Sequence, residues 1–316
     1  MSHLYLGVDG GQSSTTALIA DATGRVLGYG RGGPCNHVAG AEGRAKFFRA
    51  VGECLQEACA RVGLDFDTVR FASCCLGFSG GVEDKEAYAR DLIRSARYKI
   101  THDADIALAG ALEGEPGIIV IAGTGSMAFG RNAEGQTGRA GGWGYVFGDE
   151  GGAFDLVRRA LRAALAFEEG WGMRTTLHHE LLQAFRADSA NQLLHRFYTD
   201  MRRSEIASYA PLVSRAAADG DAAARDILAR AAGELARYVG GVHTRLFQAA
   251  EEVSVAPVGG VFRDGLLKIE FAKRVRELMS ADVESPRFSP AAGALLEALQ
   301  TDGQRVRLTD MPESEK

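Results

Sequence analysis

The same short pattern opens both halves of the chain. Leu4 to Val8 is an apolar run that ends in Asp9-Gly10-Gly11-Gln12-Ser13-Ser14-Thr15, and a second strand-like stretch follows to Ala20. Far downstream, Ile118 to Ala122 runs into Gly123-Thr124-Gly125-Ser126, and Met127 to Gly130 reads as the returning strand. A strand, a glycine turn and a strand, met twice, specify two similar units that each begin with a hairpin. Glycine lets such a turn aim N–H groups at an anion, and neighbouring hydroxyls add donors. Two further breaks, Gly148-Asp149-Glu150-Gly151-Gly152 and Gly259-Gly260-Val261, complete a set of four. Together they suggest a chain that wraps phosphate from two sides.

With 316 residues, the chain exceeds the ~250–300 at which single cores tend to divide, so two domains are the default. Net charge is −5 with the signs interspersed, which recommends no face for nucleic acid or an anionic membrane surface. A small-molecule partner is the expectation. No apolar stretch approaches the ~20 residues of a membrane span and no charged leader precedes the first strand, so a cytoplasmic location is expected. Cys35, Cys54, Cys59, Cys74 and Cys75 lack any C-x-x-C spacing and read as reduced thiols packed as small hydrophobes.

The first half continues with a strand over 25–29, a helix over 41–62, a strand over 69–76, a helix over 83–96, a short strand over 98–101 and a helix over 104–112. Glu113-Gly114-Glu115-Pro116 has the composition of a linker. After it come the second hairpin, a strand over 137–140, and helices over 155–166, 204–218 and 222–247. A strand over 253–258, a helix over 266–279 and a last helix over 290–299 follow, and the polar tail from Asp302 reads as loose. Strands alternating with helices predict an α/β fold, and the hairpin openings predict mixed rather than parallel sheets.

A Walker-type phosphate loop is excluded because the chain contains no Gly-Lys pair. Gly28-x-Gly30-x-x-Gly33 matches the dinucleotide pattern but runs into Pro34 instead of a helix, so it carries no weight. His178-His179-Glu180 lacks the spacing of a zinc helix. Asp9, at the end of a strand, could hold a magnesium ion through water while residues 10–15 donate to phosphate oxygens; taken alone it would serve equally as a turn residue. Asp103 sits between strand and helix, where a capping role is natural. The same place lets a carboxylate accept a hydroxyl proton while that oxygen attacks a γ-phosphate. Trp143, flanked by Gly142 and Gly144, offers an aromatic face to a sugar, with Asp149 and Glu150 as acceptors; a core tryptophan anchoring the loop is the other reading.

On these residues the sequence resembles the N-acetylglucosamine kinase group of the BadF/BadG/BcrA/BcrD ATPase family, within the sugar kinase, actin and heat-shock chaperone superfamily. The resemblance runs over roughly residues 4–300, carried by residues 7–15, Thr101-His102-Asp103-Ala104, 123–126, 141–151 and 259–261. It implies two ribonuclease-H-like domains, 1–113 and 114–316, hinged about a central cleft, with helix 290–299 free to pack back on the first. It implies a homodimer using ATP and Mg2+ to phosphorylate the 6-hydroxyl of N-acetylglucosamine.

By that likeness Asp103 is the base and Asp9 serves the metal. Asn36, Gly142, Trp143, Gly144 and Asp149 touch the sugar, while Gly10, Gly11, Ser13, Ser14, Thr15, Thr124, Gly125, Ala217, Gly259 and Gly260 touch the nucleotide. Glucosamine is the alternative acceptor. An ATP-driven activator of a 2-hydroxyacyl-CoA dehydratase is a different class, disfavoured because the second half has no cysteine to clamp an iron–sulfur cluster. A sugar sensor without catalysis is disfavoured by the joint presence of Asp9, Asp103 and Asp149.

Overall fold

A computed structural model describes residues 3–35, 40–80 and 84–315. The chain separates into two compact units, residues 1–115 with 285–316, and residues 116–284.

In the first unit β1 (Leu4–Gly10), β2 (Thr15–Asp21) and β3 (Val26–Gly32) form the expected antiparallel meander. Helix α1 (Gly40–Ala60) leads to β4 (Phe71–Phe78), α2 (Lys85–Leu92) to β5 (Ser95–His102), and α3 (Asp103–Ala111) closes the run. The sheet order is β3-β2-β1-β4-β5, with β4 parallel to both β1 and β5. Both faces of β1 are covered, so its interior is apolar at nearly every position rather than alternating. Leu6 and Val8 pack with Phe47, Val51 and Leu55 of α1, and Tyr5 packs on the other face.

The glycines of β3 have a packing reason. A Cβ on Gly30 would stand 2.0 Å from the carbonyl oxygen of Cys54, so α1 lies against the strand at backbone distance. The apparent dinucleotide pattern is therefore a strand–helix contact.

The second unit repeats the plan. Strands β6 (Gly117–Ala122), β7 (Ser126–Arg131) and β8 (Thr137–Gly141) form a meander, followed by helices α4 (Ala153–Glu168), α5 (Leu177–Ala184), α6 (Ala190–His195), α7 (Arg203–Ala207), α8 (Ala210–Ala218) and α9 (Ala222–Leu246). β9 (Val253–Val258), α10 (Gly265–Leu278) and β10 (Ala281–Val283) complete it. The sheet order β8-β7-β6-β9-β10, with β6-β9 and β9-β10 parallel, matches the first strand for strand. These are the two mixed five-stranded sheets of the expected fold class.

Residues 285–316 belong to the first unit, with α11 (Pro290–Thr301) burying Leu295, Leu296 and Leu299 with Tyr5 and Leu18 of its sheet, the packing the sequence allowed for helix 290–299. Two expectations need correction. The tail is anchored as well, by burial of Leu308 and Met311 and by a bridge from Arg25 to Thr309. Finally, α2 stops at Leu92 because Ser95 and Arg97 pair with Phe71 and Ser73 of β4, where the sequence suggested helix to residue 96. Glu83, the expected start of that helix, lies outside the described residues. All five cysteines are free and buried, and no helix among the described residues is long and apolar enough to cross a membrane.

Candidate active site

Parallel pairing sets Gly10, Phe78 and His102 side by side at the C-terminal edge of the first sheet. Asp9 lies one residue inside that edge and Asp103 one residue beyond it, at the first position of α3. The cap position itself belongs to His102, whose backbone is extended. Asp103 Oδ1 accepts from the Ala104 N–H at 2.8 Å, which fixes the carboxylate at the helix start while leaving it open to solvent. Asp105 is taken by Thr101, whose hydroxyl donates to it at 2.7 Å.

Burial pushes the pKa of Asp9 up to about 7, and the negative charges of Asp103 and Glu315 add to the effect. The surrounding protein also raises Asp103, opposed by the Ala104 N–H and by His102. No described residue donates a hydrogen bond to the Asp9 carboxylate. No group of three or more His, Cys, Asp or Glu among the described residues could hold a metal ion.

The turn that follows β1 closes with the Gly11 N–H donating to Ser14 O at 2.9 Å and Gly11 O accepting from Cys35 N–H at 3.0 Å. Gly10 must lack a side chain because Phe78 fills the space a Cβ would occupy. Ser13 and Ser14 are exposed and available to a ligand. Thr15 is not: it is fully buried and its hydroxyl donates to Gly33 O at 2.8 Å, so its expected phosphate contact is withdrawn. Asn36 lies outside the described residues.

In the second unit, Ile121 and Val258 are in register, so the turn 123–126 and Gly259-Gly260 leave the same sheet edge. Gly259 has φ 108°, and a Cβ there would stand 2.4 Å from Ala122 O. The loop 142–152 is laced to this turn. Gly142 N–H donates to Ser126 O at 3.0 Å, Ala153 N–H to Gly123 O at 2.8 Å, and Ser126 Oγ to Glu150 O at 2.6 Å.

Asp149, with φ 63°, is buried and accepts from Ser126 N–H at 3.3 Å, while Arg203 reaches its other oxygen at 3.4 Å. This tie between loop, turn and α7 was invisible in the sequence because 54 positions separate Arg203 from Asp149. Trp143 is 65% exposed under the guanidinium of Arg139, so it is no core anchor, and Phe147 nearby is 84% exposed. Ala217 is fully buried, and its carbonyl accepts from Arg225 Nε at 2.9 Å; its methyl has no surface for a nucleotide.

Sequence reasoning also passed over Lys85, which it left inside the helix expected over 83–96. Its side chain is instead buried, with Nζ 4.5 Å over the Phe78 ring.

Two sheets of identical topology, each ending in a glycine turn, with an acid at the strand end and another at a helix start, define the ribonuclease-H-like fold of sugar kinases and actin. The chain belongs to the BadF/BadG/BcrA/BcrD ATPase family, whose model matches residues 6–298. It is 35% identical to an N-acetylmuramic acid/N-acetylglucosamine kinase of Clostridium acetobutylicum, over 85% of this chain and 89% of that one. It is 26% identical to a glucosamine kinase of Vibrio cholerae, over 95% and 96% of the two chains. A crystal structure of a provisionally assigned N-acetylglucosamine kinase from Chromobacterium violaceum superposes with a TM-score of 0.74 at 27% identity, covering 95% of this chain and 99% of the other.

Proposed function

We propose that the protein is an ATP-dependent amino-sugar kinase that phosphorylates the 6-hydroxyl of N-acetylglucosamine. The observation that carries the reading is the pair Asp9 and Asp103, one withdrawn from solvent and unneutralised, the other fixed by a helix start at the same sheet edge. A sugar hydroxyl is a very weak acid, so a positioned carboxylate is needed to take its proton. Asp103 accepts that proton as the sugar oxygen bonds to the γ-phosphorus, and the bond from the γ-phosphorus to the bridging oxygen breaks with ADP leaving. Mg2+ would be held by Asp9 and would offset phosphate charge. Ser13, Ser14, Thr124 and the glycines at 10, 11, 125, 259 and 260 line the nucleotide, and Gly142, Trp143 and Gly144 present a ring to the sugar. Asp149 holds the turn at 123–126 in register with that loop.

N-Acetylglucosamine is preferred over glucosamine because the kinase sharing 35% identity acts on N-acetylated sugars, whereas the glucosamine kinase is more distant. That relative's name also includes N-acetylmuramic acid, which adds a lactyl carboxylate. The buried cysteines Cys74 and Cys75, in the interior strand β4, offer no surface for an iron–sulfur cluster and speak against the dehydratase activator. The enzyme is taken as a cytoplasmic homodimer. ADP release measured with ATP, Mg2+ and a panel of N-acetylglucosamine, glucosamine and glucose tests the reading. N-Acetylglucosamine should give the largest kcat/KM; release that is independent of every sugar contradicts it.

A further inference from the structure

Helices α4 and α9 meet around a cavity of about 480 Å3, within the size range of small-molecule sites, and arginine dominates its wall. Arg158, Arg159 and Arg162 enter it from α4 and Arg230 from α9. None of the residues assigned above to the sugar or the nucleotide lines it. The cavity also lies on a different face of α9 from Ala217: Arg225, whose Nε reaches the Ala217 carbonyl, stands about 140° around the helix from Arg230.

The charges in this wall do not balance. Asp155 is the acid for both Arg158 and Arg159, at 2.6 and 2.7 Å, and it also accepts from the Gly151 N–H at 3.0 Å. Asp226 serves Arg230 at 2.8 Å. Arg162 has no hydrogen-bond or ion-pair partner among the described residues, and the Nε of Arg158 is buried without one. Arg162 stands three and four positions beyond Arg159 and Arg158, a spacing at which like charges on a helix repel. Four guanidinium groups thus face two carboxylates, and an anion would relieve the excess.

The size of that excess selects the ligand. A phosphate monoester carries about −1.5 to −2 at neutral pH and offers three oxygens to guanidinium forks. Trp171, also in the wall, is 75% exposed, and its indole N–H is held by Glu169 Oε2 at 2.5 Å, which leaves the ring face open to a second ring. A lipid tail has no place here, because the adjoining apolar depression that shares Arg158 and Arg162 holds only about 130 Å3.

We propose that this cavity is a second ligand site, which binds a small phosphate monoester with its phosphate on Arg159 and Arg162 and its ring on Trp171. The ring is that of a sugar or of a nucleoside, and the experiment separates the two.

The chain has two tryptophans, so Trp143→Phe leaves Trp171 as the only indole. In that protein, indole fluorescence is titrated with N-acetylglucosamine 6-phosphate, with AMP and with unphosphorylated N-acetylglucosamine. At least one ester should saturate the signal, and the neutral sugar should bind more weakly than it by about tenfold or more. Tighter binding of the sugar phosphate assigns a sugar ring, and tighter binding of AMP assigns a nucleobase. Adding Arg162→Met should weaken the ester about 10–100-fold without moving the melting temperature, since Arg162 is exposed; Arg230→Met should weaken it as well. Saturation by neither ester, equal affinity for ester and neutral sugar, or an Arg162→Met affinity equal to that of its parent overturns the proposal. These readings use no turnover, so the kinase assignment stands or falls apart from them.

Discussion

Asp103 helps to keep Asp9 protonated. Burial is the larger cause and the charge on Asp103 the next, and together with Glu315 they lift the Asp9 carboxyl to a pKa of about 7. Two acids at one sheet edge thus oppose each other, an electrostatic cost that a cation bound beside them would relieve.

Asp9→Asn should separate function from stability. In the folded protein Asp9 binds its proton more tightly than in the unfolded chain, so its favourable contribution is complete below the ordinary aspartate range and is lost as pH rises through about 7. Above that pH the buried charge costs stability, and the amide removes the cost. Urea melts should show the variant more stable than wild type by about 1–3 kcal/mol at pH 8, with no gain at pH 4. The same variant should lose Mg2+-dependent turnover.

The acid limb of the reaction should lie above the ordinary aspartate range. Asp103 acts as base only when ionised, and the protein around it raises its pKa. Acidification through that raised value therefore removes activity. A profile of kcat/KM for the sugar, read from ADP release, should fall on the acid side and plateau toward neutrality.

Gly125→Ala should disrupt the second unit. A Cβ at 125 would stand 2.4 Å from Oδ2 of Asp149, and that aspartate is itself buried and tied to Ser126 and Arg203. Displacing a buried, hydrogen-bonded carboxylate should cost about 2–4 kcal/mol, visible as a lower melting temperature together with lost activity.

Trp143→Ala should behave in the opposite way. The ring is 65% exposed, so thermal melting should stay within about a degree of wild type. KM for the sugar should rise about tenfold if the ring covers it, with a smaller change in KM for ATP.

Much of this was legible in the sequence because glycine turns after apolar runs leave few alternatives. The two hairpins and the two carboxylates were placed from the chain alone. What escaped depends on distant partners. β10 has three residues and no pattern of its own, and it exists because Val253 to Val255 offer it a parallel edge. The tail reads as polar, yet Leu308 and Met311 find a cleft beside α11 that only folding creates. Thr15 reads as a phosphate ligand until Gly33 is seen to claim its hydroxyl. Lys85 lies only seven positions after Phe78, but its Nζ comes over that ring through the packing of a strand end against a helix start, which no periodic pattern announces.

The most direct measurement is ATP-dependent phosphorylation of N-acetylglucosamine by wild type and Asp103→Asn, with binding of both substrates followed by calorimetry. Binding should persist in the variant while kcat falls about 10²–10⁴-fold, the scale of a positioned base. Turnover close to wild type in a folded Asp103→Asn protein would contradict the account.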